Sequence, residues 1–399
     1  MKKITIAIAL AAIIYMMLPT IRGLFDEAEP PQALPTVPTA VLEMGSIIVK
    51  GPGNTLASIA DQIGDEGTFS YDPGRKTAIC RGNVKIEGEL TIGDPKGEGL
   101  TETLEFKTRV CGDCMIFVRP GGSLKAYNAE ISTFDRTTIA GLCPKGYGIL
   151  GEGEVVMHNV RLSYMSGSSS TIFSGRQASG VLDRVMSYGG DTNAISYNDI
   201  SPGNVKITRC NFLAVGNWGA WIGRTADAPL VIDRTVFSGK SGDMLINGPA
   251  DVILEDCRFR PDKVSFGPQQ SSVTVRWTRC FQLIDADTRR PVAGAKVTAA
   301  TRQQAGIQQT YTATTDSKGF VAFTLVEYKA TPRHRTRKDG ANNAAPYDIN
   351  FETDNGGKAT LIVDPRRAEV NHECRIVKIG SPDGTQAEAP RRPSPDFAK

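Results

Sequence analysis

The chain has 399 residues, enough for two or three domains and a substantial buried core. Lys and Arg total 46 against 43 Asp and Glu, a net charge of +3, so the concentrated basic excess of a dedicated nucleic-acid binder is absent. Hydrophobic content of 40% with 22% charged residues excludes a disordered chain, and three histidines leave little room for histidine-rich metal chemistry.

Lys2-Lys3 precede an apolar run from Ile4 to Leu18, which Pro19 closes. A positive segment followed by a run of this length predicts export to the periplasm, the cell surface or the medium. The run is shorter than the roughly 20 residues of a spanning helix, which favours a cleaved signal. No Ala-x-Ala site follows, so residues 1–23 stand as signal peptide or anchor. Residues 24–46, with Pro30, Pro31, Pro35 and Pro38, read as an extended linker. Asn54–Gly64 reads as a short helix with Asn54 or Thr55 as N-cap and Gly64 past its end. Leu56, Ile59, Ala60 and Ile63 give it one apolar face, and it is expected to cap the element that follows.

A repeat then runs from about residue 47 to 280. Ala126–Ile131, Met157–Leu162, Leu182–Ser187, Ile207–Phe212, Ile232–Phe237 and Leu254–Phe259 share one pattern: apolar, polar, polar, small, any, apolar. Trp277–Cys280 is a weaker copy. The fourth positions are Ala129, Val160, Val185, Cys210, Thr235, Cys257 and Cys280. A second apolar series runs in step, including Ala194-Ile195, Trp221-Ile222, Met244-Leu245 and Val264-Ser265-Phe266. Gly, Asn, Asp and Pro clusters separate the two series. The reading is all-β: short strands whose alternate side chains point inward, in coils that stack because no single coil buries its own apolar face.

From about Phe281 the repeat stops and six or seven short strands are expected to form a small β-sandwich over residues 281–380. Residues 279–399 carry 19 basic and 14 acidic groups, and Arg333–Lys338 is a basic stretch. Residues 381–399, with Pro382, Pro390, Pro393 and Pro395, read as a disordered tail.

The Leu-x-x-Cys-x-Phe form at Leu254–Phe259 and the turn Gly121-Gly122-Ser123-Leu124 resemble the right-handed parallel β-helix family, the pectate lyase-like architecture. Pro291-Val292-x-Gly294-Ala295-x-Val297 and Thr315-Asp316-x-x-Gly319 resemble carboxypeptidase regulatory-like, transthyretin-like domains. The first resemblance implies a stacked-coil fold that hosts lyases, hydrolases, adhesins and inert scaffolds. The second implies a non-catalytic module.

Eight cysteines in an exported chain permit disulfides. Cys210 and Cys257 lie two coils apart in one inward column, about 9.6 Å, too far to bridge. Cys280 and Cys374, near the first and last strands of the second domain, are placed to bridge instead. Cys80, Cys111, Cys114 and Cys143 fit disulfides, buried thiols or a four-thiolate zinc site. Apart from that last alternative the chain shows no metal motif and no cofactor motif.

Chemistry is sought on the outward positions of the second series. Taking Ala194, Ala220, Met244 and Val264 as equivalent inward residues places Trp221 outward, where it and Trp218 can stack on a sugar ring. Asn193, Arg224 and Asp262 flank them as binding groups. Asp191 and Asp243, about 10 Å apart, are the candidate carboxylate pair. Arg184, Arg209 and Arg234 recur at the third repeat position as a candidate strip for an anionic polysaccharide, with Asp183 and Asp233 beside them. No Asp-x-x-Asp motif marks a lyase. The favoured expectation is a non-catalytic scaffold binding carbohydrate or another envelope component. The alternative is a polysaccharide lyase or glycoside hydrolase. No nucleic-acid partner is expected, and membrane contact only through an uncleaved N-terminus.

Overall fold

The computed structural model describes residues 35–380 apart from 98–100, 108–113, 134–145, 166–170, 189–192, 215, 269, 303–304, 335–341 and 366–373. The N-terminal segment to residue 34, the tail from 381, Cys111, Cys143, Asp191 and Arg335–Lys338 therefore lie outside the described residues. The fold is all-β, with most strands in parallel sheets. Among the described residues no helix is long and apolar enough to cross a membrane.

From Glu89 to Phe266 the chain passes along three faces in a fixed order, the third face being formed by one sheet up to Tyr147–Gly151 and by another from Phe173–Ser174 onward. One winding shows the pattern: Val205–Thr208 lies in the first sheet, Asn211–Ala214 in the second and Trp218–Ile222 in the third. The next winding lays Leu230–Asp233, Val236–Gly239 and Gly242–Ile246 beside them, parallel and in register. Equivalent residues therefore superpose. In the first sheet Ile92, Ala126, Met157, Leu182, Ile207, Ile232, Leu254 and Val275 pair in sequence across eight strands, and all are buried. Larger side chains stack as well: Phe106 on Tyr147 at 5.3 Å and Phe212 near Phe237 at 5.7 Å. Each such ring contributes about 1.5–3 kcal/mol by leaving water.

The six-residue repeat is the corner between the first and second sheets. Its third residue takes a left-handed backbone in every copy: Asn128, Asn159, Arg184, Arg209, Arg234 and Asp256 all have φ between 45° and 55°. A non-glycine residue there costs about 1 kcal/mol. The cost is offset because the N–H at this position donates to a carbonyl of the next winding: Asn159 to Asp183, Arg184 to Thr208, Arg209 to Asp233 and Arg234 to Glu255. The fourth residue points inward. Ala129, Val160, Val185, Cys210, Thr235 and Cys257 are all buried, and the carbonyls of Val160, Val185, Cys210 and Thr235 each accept from the next winding. Burial pushes the Cys210 thiol up to about 12, so it stays protonated and packs as a small apolar group.

Trp277–Cys280 departs from this pattern. It makes no corner, because Ser272–Asp285 is one continuous strand held by its antiparallel partner Phe320–Ala330. Cys280 therefore leaves the inward column and lies opposite Ala322. It is joined by a disulfide to Cys374, with Cα atoms 4.4 Å apart. The same strand serves two cores. Val273 and Val275 close the winding core, while Phe281 and Leu283 belong to a second core. Val297, Ala299, Ile349 and Phe351, from the antiparallel sheet of Thr310–Thr314, Lys296–Thr301, Tyr347–Glu352 and Lys358–Val363, complete that second core. The Thr315-Asp316-x-x-Gly319 motif is a turn. The Asp316 carboxylate accepts from Lys318 and Phe320 N–H, and Gly319 has φ 77° with room for no Cβ beside the Leu283 carbonyl.

At the other end, helix α1 spans Leu56–Ile63. Thr55 caps it reciprocally with Ser58, and Gly64 ends it at φ 62°. Leu56 and Ile59 are buried, and Ala60 and Ile63 pack against the same core. Asn54 precedes the cap. Its side-chain amide donates to the carbonyls of Lys50, Gly51 and Glu89, tying the helix entry to two strands.

Candidate functional site

The third sheet runs Phe173–Ser174, Ile195–Asn198, Trp218–Ile222, Gly242–Ile246, Val264–Phe266. Ala220, Met244 and Val264 share one inward column. Ala194 does not join them. Ile195 is in register with Ala220, and Ser196 with Trp221. The one-residue slip arises at the corner, where Ala194 and Ile195 are both buried and the Ser187 hydroxyl donates to the Ala194 carbonyl. The outward column is thus Trp221, Leu245 and Ser265, with the register-equivalent Ser196 buried. Beside it runs a column that sequence reasoning missed: Asn198, at the end of its strand, and Asn247, just past the end of Gly242–Ile246, are exposed in the windings on either side of Gly223. A Cβ on Gly223 would lie 2.4 Å from the Asn198 Oδ1 and 3.0 Å from the Trp221 ring. A glycine in the winding between two asparagines was the available signal: it leaves the space that both the indole and the amide use. Neither the Asn198 nor the Asn247 side chain has a hydrogen-bond partner among the described residues.

Trp218 sits at the near edge of this face. Its ring covers Gly242, where a Cβ would meet it at 2.1 Å. Asn193 Oδ1 accepts from the Trp218 N–H at 3.4 Å and its amide donates to Ser196 Oγ at 3.2 Å, so Asn193 clamps two windings. Arg224 lies at the far edge, 3.6 Å from Asp199, which Arg176 also approaches at 3.9 Å. Asp262 is exposed in a short turn of 3₁₀ helix, Pro261–Lys263.

Asp243 corrects the reading that made it a groove acid. Its carboxylate is 1% exposed and faces Arg260, not solvent. It accepts from the Arg260 and Gly239 N–H groups and from the Arg260 guanidinium, at 2.5 Å for Nη2. The expected alternation would have aimed it outward. Arg260, which leads into the next turn, folds over it instead.

The arginine strip is likewise neutralised. Arg209 grips Asp183 with two hydrogen bonds of 2.7 Å, and Arg184 lies 3.4 Å from the same carboxylate. Arg234 pairs with Asp233 at 2.7 Å, and Thr208 donates to Asp233 at 2.8 Å. Adjacent arginines at the strand spacing repel, and the interleaved aspartates cancel that repulsion. His158 stacks on Tyr127 and approaches Asp183 at 3.6 Å. Burial raises the Asp183 carboxyl, but Arg209, with Arg184 and His158, outweighs burial and holds it below the usual carboxylate range. A depressed carboxyl contributes stability above its unfolded value, near pH 4, and loses it as pH falls through the folded value. Asp183→Asn is therefore expected to flatten the acid limb of stability below about pH 4. Urea unfolding between pH 2 and 7 checks this, and an unchanged acid limb would refute it.

Cys80 and Cys114 are buried. Burial pushes the Cys80 thiol up to about 12. Among the described residues no group of three or more His, Cys, Asp or Glu side chains is placed to hold a metal ion. Comparison with known proteins finds no matching family model, no matching curated protein and no matching solved structure.

Proposed function

We propose that the three-sheet winding is a right-handed parallel β-helix, that residues 281–380 form a β-sandwich appendage, and that the chain is an exported, non-catalytic scaffold. Its ligand is a polysaccharide or another envelope component, held against the third sheet. The observation that carries this reading is the outward column containing Trp221, flanked by the two unengaged amides of Asn198 and Asn247. An aromatic face offers apolar contact to a sugar ring, and amides and hydroxyls meet its OH groups in both donor and acceptor senses. The capture of Asp243 by Arg260 supports binding over turnover, since a carboxylate fully engaged by donors is a poor proton carrier.

A glycan array probed with the full chain, paired with reducing-end and unsaturated-uronate assays, tests the reading. Binding without turnover is expected. Trp221→Ala is expected to weaken it about three- to tenfold, the worth of one aromatic platform. Turnover above a buffer blank, or binding indifferent to Trp221→Ala, Asn198→Ala and Asn247→Ala, would overturn it.

A further inference from the structure

A cleft of about 870 Å³ lies where the winding meets the end of the strand Phe320–Ala330. It is separate from the third-sheet face, and neither Trp218 nor Trp221 lines it. Its charges are sorted by wall. Asp227 and Asp251 belong to the last windings, whereas Lys329 and Arg333 belong to the end of Phe320–Ala330 and the turn after it. Between them runs Ser272, which pairs with Asp251 across the first sheet. Ala330 sits opposite Val273 in the next strand, so the cationic wall stands two strands from Asp251, about 10 Å at backbone level.

Pairing distinguishes these groups from the arginine corners. Arg184, Arg209, Arg234 and Arg260 are all matched by aspartates within the fold. Asp227, Lys329 and Arg333 are exposed and make no ion pair among the described residues. Asp227 is held at φ 61°, a backbone state that fixes its direction at some energetic cost. Pro229, Pro249 and Pro268 add apolar lining to the cleft.

We propose that this cleft binds a zwitterionic group, an amine and a phosphate joined by a short aliphatic linker. The amine faces Asp227 and Asp251. The phosphate faces Lys329 and Arg333, a point charge and a planar fork that together suit its oxygens. The linker lies over the prolines. A ligand of one sign only would meet a like-charged wall, which disfavours a simple anion or a simple cation.

Titration calorimetry of the full chain with phosphoethanolamine tests this, with inorganic phosphate and ethanolamine run separately. One saturable site is expected, at least tenfold tighter than either half alone. Arg333→Gln and Asp227→Asn should each weaken it roughly tenfold. Both positions are exposed, and Asn tolerates the left-handed backbone at 227, so folding is preserved. Trp221→Ala should leave this affinity unchanged, which keeps the outcome distinct from that of the third-sheet face. Co-sedimentation with phosphatidylethanolamine vesicles would assign the group to a lipid headgroup; binding of the soluble compound alone would assign it to a free or sugar-linked substituent. No saturable binding, equal binding of phosphate alone, or indifference to both variants would overturn the proposal.

Discussion

Asp243→Ala is expected to lower the stability of the chain by about 3 kcal/mol. The carboxylate is almost fully buried and closes a corner: it accepts from two backbone N–H groups, Gly239 and Arg260, and from the Arg260 guanidinium. Removing it strands two backbone donors, at about 1–3 kcal/mol each. The lower end applies because Arg260 itself is half exposed and regains water. Asp243→Asn, which keeps the shape and one acceptor, should lose less. Denaturant unfolding of the two variants checks both values. A loss under about 1 kcal/mol for the alanine variant would mean that Arg260 is held by something other than this carboxylate.

Reduction of the Cys280–Cys374 disulfide, or replacement of both cysteines by serine, is expected to cost about 3–4 kcal/mol in the part of the chain that contains the second core. The bond closes a loop of 94 residues, and cross-linking so long a segment removes about 4.7 kcal/mol of chain entropy from the unfolded state. Measured values commonly fall below that figure, which sets the lower expectation. The strand Arg375–Ile379 pairs with Phe281–Asp285, so part of the clamp survives reduction through the ladder. Unfolding with and without reductant, followed by amide exchange at Val377 and Leu283, gives the answer. A change below about 1 kcal/mol would show that the ladder alone holds this strand.

What was legible from the sequence follows from how strongly stacking constrains each position. The fourth repeat residue has one tolerable environment, an inward site pressed above and below by its equivalents. Its small size therefore recurs, and Val160, Val185 and Cys210 do superpose. The second series carries fewer constraints at its corner. Ala194 and Ile195 are both apolar and both buried, so composition cannot say which one faces Ala220. Charged residues were least legible. Asp243 and Arg260 lie 17 residues apart, and no periodicity within either strand announces that one covers the other. Trp277–Cys280 carried the residue types of a corner, but the antiparallel partner that keeps it straight begins at Phe320, well outside the repeat. The Asn198 and Asn247 column was hidden for another reason. Exposed asparagines are usually turn formers, and only the register with Gly223 shows that these two share a flat face.

Because every left-handed corner residue is tethered to the winding after it, the polymer has a quantised length. Val185 and Cys210 are 25 positions apart, as are Cys210 and Thr235. Excising one such period would leave each remaining corner facing an equivalent acceptor, and the rod would simply be one storey shorter. Windings of 31, 25 and 22 residues keep the same inward column, so the turns absorb differences in length while the strands keep their facing. The number of storeys, not the number of residues, therefore sets the height of the stack.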